Sequence, residues 1–233
     1  MKLSNRLDTV SQLIIKYQRG RVLADIGTDH AYLPVYLSMN NYIDLGYACD
    51  VAKGPLSLAE NTINKYHIKN IKPLLGSGLT PICNEYVSDI SICGMGGQLI
   101  TEILDEHKEY LHDKRLYLQA NTANYELREY LYKNNFKIID EAIIEDMGHI
   151  YEIEVCEYSD ASLLHTELDL IFGPVLRIKK GDTFKKKWQF ESSVQQRILN
   201  SVESDHPAYK KAYQYKKIIE DMLSESERNY SSY

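Results

Sequence analysis

The chain has 233 residues, of which 26% are charged, and a formal net charge of −6, values that are ordinary for an α/β domain with an appendage. It has no long uncharged apolar run, and residues 1–6 lead into an amphipathic segment, so we expect no membrane span, no signal peptide and a cytoplasmic location. The four cysteines show neither a disulfide framework nor paired metal-ligand spacing, so we expect no metal.

The first predicted strand, near residues 21–26, runs through Asp25 and Gly27 directly into a helix. Gly27 permits a tight turn, and the helix start offers free N–H groups, as in nucleotide-type cofactor sites. Asp29 occupies the place of the second glycine of the dinucleotide fingerprint, where a carboxylate would repel a pyrophosphate. The loop therefore favours a cofactor with a cationic centre and no phosphate, such as S-adenosylmethionine (SAM), with Asp25 and Gly27 at its site.

The second predicted strand, near residues 44–50, ends in Asp50, roughly 20 to 25 residues after the first acid, as βαβ units place a ribose-binding carboxylate. Asp50 is the predicted ribose ligand, and we assign the adjacent Val51 to the same cofactor site. The alternative is that Asp50 only caps the next helix.

The third and fourth predicted strands, near residues 71–75 and 88–93, both run into glycine turns. After the third, Ser77 and Gly78 are candidates for the adenine edge of the cofactor, although a plain loop explains them equally well. After the fourth, the turn that contains Gly94, Met95 and Gly96 indicates that a large group lies on the backbone. Close packing of a helix on a strand is the alternative there.

Three further strands complete the predicted sheet, near residues 115–119, 136–145 and 149–157. Only a short turn separates the last two, so an otherwise parallel sheet should end in an antiparallel hairpin. The helices between strands are predicted near residues 4–18, 31–40, 53–67, 96–107 and 124–134. Five parallel strands and a closing hairpin describe the Rossmann-like sheet of class I SAM-dependent methyltransferases, whereas a nicotinamide-binding sheet more often continues with another crossover helix.

Beyond residue 158 the apolar residues recur at helical spacing, with a break at His206-Pro207. This pattern predicts two long helices that pack as an antiparallel, coiled-coil-like hairpin. A Gly-Pro turn at 173–174 separates this hairpin from the sheet. We predict a SAM-binding domain over residues 1–160 and a helical hairpin domain over residues 161–233.

The region from Gly173 to Lys217 contains 11 basic and 4 acidic side chains, a difference of +7 inside an acidic chain. Lysines on a solvated hairpin need no partner, and a phosphate-binding arm is the other interpretation. The lysines predicted to contact RNA are Lys179, Lys180, Lys185, Lys186 and Lys187.

Together, the segments at residues 25–34, 93–97 and 118–121 and the basic helical tail resemble the bacterial TrmK family. The resemblance covers nearly the whole chain. It implies a class I methyltransferase domain with a C-terminal coiled-coil domain, SAM as cofactor, and methylation of N1 of the adenine at position 22 in tRNA. Ser77 stands where the family's third motif has an aspartate.

Methylation at this position needs no strong general base, because the N1 lone pair is available in the neutral adenine, so alignment and electrostatics dominate. Asp29 is the first candidate to stabilise the cationic ring, with capping of the helix at 31–40 as its alternative role. His30 and Tyr32 are candidates to hydrogen-bond to or stack on the base, against a packing or surface role, and we also assign His30 to the cofactor site. Asn121 is a candidate to read the adenine edge, against a helix-capping role. A stacked target adenine must first be flipped out.

Two other functions stay open. The same sheet occurs in SAM-dependent enzymes that act on DNA, another RNA or a small molecule, against which the basic hairpin and the family resemblance argue. A catalytically silent RNA-binding protein is the second alternative, against which the intact Asp25, Gly27, Asp50 and residues 94–96 argue. We expect a monomer, and the sequence leaves open a weak dimer, the tRNA species and the hairpin face that contacts RNA.

Overall fold

The computed structural model describes residues 1–228, which form a seven-stranded sheet with helices on both faces and a helical C-terminal region. The strands are β1 Val22–Ile26, β2 Leu45–Asp50, β3 Ile71–Leu75, β4 Asp89–Gly96, β5 Arg115–Thr122, β6 Phe136–Asp146 and β7 His149–Tyr158. They are ordered β3-β2-β1-β4-β5-β7-β6. The first five are parallel, and β7 is antiparallel to both β5 and β6, which confirms the predicted class of sheet.

The helices alternate with the parallel strands and then continue beyond the sheet. Their bounds are α1 Asn5–Tyr17, α2 Tyr32–Met39, α3 Lys53–Lys65, α4 Gly97–Glu106, α5 Asn124–Lys133, α6 Glu167–Phe172, α7 Leu176–Lys179, α8 Asp182–Ser201 and α9 Pro207–Arg228. Strand order reverses between β1 and β4, and ligands of open α/β sheets bind at the carboxyl ends of the strands at such a point.

Helix α1 begins where Ser4 accepts a hydrogen bond from the Leu7 N–H at 3.3 Å, an ordinary N-cap. Its apolar stripe, Val10, Leu13 and Ile14, packs in one core cluster with residues of β5 and β7. The first turn of α1 thereby comes to the carboxyl edge of the sheet.

The chain divides into two compact units, Met1–Val175 and Leu176–Tyr233. This boundary lies after the predicted one at residue 160 and next to the turn at 173–174. The first unit extends this far because α6 packs on α5, where buried Arg128 donates to the Leu170 carbonyl at 3.3 Å. Buried Phe172 completes this contact region.

A buried charge cluster joins α5 to the closing hairpin. The fully buried Arg128 guanidinium lies 3.0 to 3.1 Å from carboxylates of Glu141 on β6 and of Glu152 and Glu154 on β7. Burial lowers the pKa of Arg128, and attraction by the three carboxylates outweighs it, so the pKa is raised overall. Removing one partner would leave buried charge uncompensated, so the cluster fixes the hairpin against α5.

The second unit contains α8 and α9 packed on each other, with buried residues on both helices: Phe184, Trp188, Ala212, Ile219 and Met222. The Lys180 ammonium, just before α8, donates to the Met222 carbonyl at 2.9 Å. The start of α8 therefore lies beside the C-terminal half of α9, and the two helices run antiparallel. The coiled-coil character of this hairpin stays a prediction.

Within residues 1–228, no helix combines the length and apolar character needed to cross a membrane. The same part of the chain holds no group of three or more His, Cys, Asp or Glu side chains arranged for a metal ion. All four cysteines are free thiols.

Candidate active site

A cleft of about 440 Å³ lies at the carboxyl ends of β1 and β4, where the strand order reverses. Four segments line it: the first turn of α1, the loop from β1 into α2, the end of β4, and the β6–β7 hairpin tip. The lining residues are Ser4, Arg6, Leu7, Asp25, Gly27, Thr28, Asp29, His30, Tyr32, Leu33, Cys93, Gly94, Asp146, Met147 and Tyr151.

The loop after β1 turns tightly against the end of β2. The Gly27 and Thr28 N–H groups both donate to the Cys49 carbonyl, at 2.9 and 3.0 Å. Gly27, Asp29 and Ala31 have positive φ, of 71°, 51° and 55°. Such a backbone is easy for glycine, tolerated by aspartate and costly for most other residues. This conformation directs the side chains of residues 29–32 along the rim of the cleft.

Asp29 does not cap α2, so the capping alternative is wrong. The helix has Ala31 at its N-cap and no side-chain cap. The Asp29 side chain is 65% exposed, and its carboxylate lies 3.6 Å from His30 Nε2. The His30 ring in turn stacks on the Tyr32 ring, with centroids 5.0 Å apart. Carboxylate, imidazole and phenol thus form one accessible wall of the cleft.

Asp25 is buried within β1, one residue before the strand ends. Its two carboxylate oxygens accept hydrogen bonds from the Ser91 and Thr28 hydroxyls, each at 2.7 Å. Burial raises the pKa of Asp25 to about 6, while these two hydroxyls lower it. Asp25 therefore anchors the loop to β4 and places a titratable charge beneath the cleft.

Asp50 lies at the end of β2 next to the same loop. One carboxylate oxygen accepts from the Ala52 N–H at 2.9 Å, and the other lies 3.4 Å from the Asp29 N–H. The capping alternative is wrong, because α3 has Ala52 at its N-cap and no side-chain cap. The Asp50 side chain bonds the residue before the helix and also touches the β1 loop. Val51 follows with 71% of its surface exposed.

The glycines at the end of β4 and the start of α4 have different structural roles. Gly94 has φ 81°, and a Cβ there would lie 3.5 Å from Arg6 Nη1 in the cleft. A Cβ on Gly97 would lie 2.4 Å from the Ala123 carbonyl oxygen, so the helix-packing alternative is confirmed for that glycine. Gly96 is the N-cap of α4, with an extended φ of −69°.

Met95 fills the space beside Gly27. Its terminal methyl overlaps the position of a Cβ on Gly27, so a side chain at residue 27 would require Met95 to move and would also have to adopt the unfavourable φ of 71°. Ser77 is exposed, and Gly78 has φ 50° beside Ile103 of α4. Six predicted cofactor residues lie at or just after the ends of neighbouring strands and are not among the cleft-lining residues: Asp50, Val51, Ser77, Gly78, Met95 and Gly96.

Asn121 belongs to a hydrogen-bonded network that fixes its amide. The Oε1 of fully buried Gln119 accepts from Arg6 Nη1 at 2.6 Å and from the Gly94 N–H at 3.1 Å. Its Nε2 must therefore face Asn121 Oδ1, at 3.0 Å, and Asn121 Nδ2 donates to the Gly94 carbonyl at 2.7 Å. The helix-capping alternative is wrong, because α5 has Ala123 at its N-cap and no side-chain cap.

The cleft residues that sequence reasoning missed include Arg6, Asp146, Met147 and Tyr151. The Arg6 N–H donates to Asp146 Oδ2 at 3.2 Å, and its guanidinium lies 5.4 Å from the centre of the Tyr151 ring. Apart from the predicted turn at 146–148, no local motif marks these positions. Only the packing of α1 and the closing hairpin beside β1 and β4 brings them to the cleft.

The cleft combines the carboxylates of Asp25, Asp29 and Asp146 with the guanidinium of Arg6. This set suits a zwitterionic ligand with an added cationic centre. Burial raises the pKa of the Cys93 thiol to about 12, so this cysteine is not poised as a nucleophile. The arrangement favours alignment and charge stabilisation over base or covalent catalysis.

The five lysines predicted to contact RNA lie at the start of the second unit: Lys179, Lys180, Lys185, Lys186 and Lys187. They do not share one face, because consecutive residues of α8 are about 100° apart around the helix. The Lys180 ammonium is bonded to the Met222 carbonyl, and the Lys187 ammonium lies 4.8 Å from the centre of the Trp188 ring. Lys179 and Lys186 are exposed.

Comparison with known proteins gives consistent matches. The family described as TrmK, tRNA (adenine(22)-N(1))-methyltransferase, matches residues 23–225. A tRNA (adenine(22)-N(1))-methyltransferase of Bacillus subtilis is 38% identical over 208 residues, which cover 87% of this chain and 86% of the relative.

Solved structures match over nearly the whole chain. A Streptococcus pneumoniae structure in complex with S-adenosyl-L-methionine is 32% identical, with a TM-score of 0.86 over 95% of this chain and 100% of that chain. The Mycoplasma capricolum TrmK structure, in complex with S-adenosyl-homocysteine, is 29% identical, with a TM-score of 0.85 over 96% of this chain and 99% of that chain.

Proposed function

The chain belongs to the tRNA (adenine(22)-N(1))-methyltransferase family, and we propose that it transfers a methyl group from SAM to N1 of adenine 22 in tRNA. The observation that carries this proposal is the family match over residues 23–225, which includes most of the cleft and reaches into the second unit. We further propose that the protein acts in the cytoplasm as a monomer.

The direct test is to incubate the protein with SAM and unmodified tRNA, digest the RNA, and identify the methylated nucleoside and its position. We expect 1-methyladenosine at position 22. Methyl groups in DNA, in another RNA or in a small molecule would contradict the substrate assignment. Absence of SAM binding in calorimetry would instead indicate a catalytically silent RNA-binding protein.

The charges in the cleft support SAM as the methyl donor, which supplies an electrophilic methyl group on a sulfonium centre. The carboxylate of Asp25 would attract its sulfonium and ammonium groups, and Arg6 would pair with its carboxylate. Gly27 and Gly94, both with positive φ, leave the backbone bare for close approach. His30 would contribute to the same end of the ligand.

The strand ends beside the cleft would hold the adenosine part. Asp50 would accept hydrogen bonds from the ribose hydroxyls. The residues after β2 and β3 and the end of β4 would surround the adenine, with contacts from Val51, Ser77, Gly78, Met95 and Gly96. Met95 is unbranched, so rotation of its side chain away from Gly27 would expose the backbone of Gly27 to the ligand.

The target adenine would meet the rim of the cleft. Asp29 would stabilise the positive charge that develops on the ring, and Tyr32, 42% exposed and stacked on His30, would contact its face. Asn121 would hydrogen-bond to the adenine edge in an orientation set by Gln119 and Arg6. The phosphates of tRNA would contact the lysines of the second unit.

Replacing Asp50 with alanine should weaken SAM binding by about tenfold or more, because charge-assisted hydrogen bonds to the ribose are lost. Calorimetric titration with SAM measures the change. Asp50→Asn keeps an oxygen that can accept from the Ala52 N–H, so its affinity should fall between the two. Asp44→Ala, which removes an exposed acid that pairs with Arg21 at the opposite end of β2, is the control. An unchanged affinity in Asp50→Ala would remove this residue from the site.

SAM affinity should decrease as the pH is lowered through the pKa of Asp25, which burial raises to about 6. Above this pKa the carboxylate is ionised and attracts the cationic ligand, so affinity at pH 5 should be about tenfold lower than at pH 7.5. Asp25→Asn should bind more weakly at pH 7.5 and lose this dependence, while titrations of SAM itself affect both proteins equally. Parallel pH profiles would contradict the assignment.

The raised pKa of Asp25 also makes folding stability depend on pH, in the opposite direction to SAM affinity. Because the folded-state pKa of Asp25 is above the ordinary value of 3.8, its contribution to folding stability is present below that value. It is lost as pH rises through about 6. Thermal unfolding of the wild type relative to Asp25→Asn over this range measures it.

A further inference from the structure

The tip of the β6–β7 hairpin carries a methionine in an unfavourable backbone conformation. Met147 and Gly148 are the two residues between the strands, and their φ angles are 49° and 82°. Positive φ at both central residues is the pattern of a type I′ turn, which favours asparagine or aspartate followed by glycine. Methionine at the first of these positions costs conformational free energy that asparagine would largely avoid.

Met147 is also 92% exposed, and it lines the cleft together with Tyr151. A single exposed apolar side chain is ordinary. Here the exposure coincides with an unfavourable φ and with a position at the cleft. Strain retained at such a place points to a role in binding.

The turn is held in place by the rest of the site. The Asp146 carboxylate, next to Met147, accepts from the Arg6 N–H at 3.2 Å. The Arg6 side chain is bonded to Gln119, which orients Asn121. Met147 therefore follows a strand end that hydrogen bonds hold in place, and it lines the same cleft as Asp29 and Tyr32, which are proposed to receive the adenine.

We propose that Met147 is a wedge that inserts into the base stack of tRNA as adenine 22 enters the cleft; this inference rests on the proposed function. N1 lies on the pairing edge of adenine and cannot reach a methyl donor from inside a stack, so the base must leave it. Apolar side chains, methionine among them, serve as wedges between bases in other nucleic-acid complexes. The polarisable thioether of Met147 suits contact with the exposed aromatic faces.

The test uses the full-length enzyme and a tRNA with 2-aminopurine in place of adenine 22, whose fluorescence rises when the base leaves the stack. Wild-type enzyme should produce this rise, and Met147→Ala should largely lose it while SAM affinity is unchanged. Single-turnover methylation of unmodified tRNA should slow roughly tenfold in this variant, since unstacking a base costs more free energy than that factor represents.

Two further variants separate a wedge from a structural residue. Met147→Asn should raise the melting temperature by a few degrees, because it relieves the backbone strain, and yet slow methylation as much as Met147→Ala. Met147→Leu keeps an apolar wedge with similar strain and should methylate within about threefold of the wild type. Leu164→Ala, which removes a 95% exposed side chain outside the cleft, is the control and should match the wild type.

Wild-type rates and fluorescence in both Met147→Ala and Met147→Asn would overturn the wedge and leave the proposed function intact. A Met147→Leu variant as slow as Met147→Ala would also overturn it. If the wild-type enzyme binds SAM but methylates no tRNA, the proposed function fails, and this inference fails with it.

Discussion

Asp29→Asn should slow methyl transfer to tRNA by on the order of a hundredfold while changing SAM affinity by less than about threefold. The adenine ring becomes cationic as N1 is methylated, so a carboxylate on the cleft rim stabilises the transition state more than the ground state. Asp29 is 65% exposed in the free protein, where water screens its charge. Bound tRNA would exclude that water and strengthen the effect.

Asparagine is a better replacement for Asp29 than alanine because the backbone at this position has a positive φ. Asp29 has φ 51°, a conformation that asparagine tolerates and alanine disfavours, so Asp29→Ala adds strain to the lost charge. Single-turnover methylation and SAM calorimetry on both variants separate the two effects. Equal losses of rate and of SAM affinity would assign Asp29 to cofactor binding instead.

Reversing the charge of Lys179, Lys185 and Lys186 together should lower tRNA affinity on the order of a hundredfold at 0.15 M salt, if each contacts one phosphate. The plot of log affinity against log salt should also flatten by roughly one unit per lost contact. Lys180 and Lys187 stay unchanged because their ammonium groups contact Met222 and Trp188 inside the second unit.

The matched control reverses three exposed lysines of the first unit, Lys69, Lys108 and Lys137, which changes net charge by the same amount. In this control, the slope of log tRNA affinity against log salt should change less than in the test variant. An unaltered slope with unaltered affinity in the test variant would show that these lysines are only a solvated surface and that RNA binds elsewhere.

Truncation gives a second test of the role of the second unit in tRNA binding. The structure places the truncation point after residue 175 instead of after residue 160. A chain ending at residue 160 would lose α6, which packs on α5 beside buried Arg128. A chain ending at Val175 keeps the first compact unit whole. It should retain SAM binding and lose tRNA methylation. Full methylation by this chain would contradict a role for the second unit.

The positions of the strands, and the acidic residues and glycines at their ends, could be predicted from the sequence because both depend on a local pattern of residues. The apolar run that ends in Asp25 and Gly27 predicted a strand near residues 21–26, and β1 is Val22–Ile26. The short turn at 146–148 predicted the antiparallel hairpin, which β6 and β7 form. Parallel strands bring their carboxyl ends to one edge, so Asp50 beside the Asp29 loop followed from topology.

Only the tertiary structure determined the burial, the hydrogen-bond partners and the position in the cleft of these residues. Asp25 reads as a strand-end ligand, but Ser91 on the neighbouring β4 buries and bonds it. The sequence could not show that Arg6 reaches Gln119, 113 residues away, and so orients Asn121. It marked Met147 only as a turn residue, since its φ and its place at the cleft depend on how the hairpin is held. Local periodicity determines elements, whereas contacts between distant elements depend on packing, which no local pattern encodes.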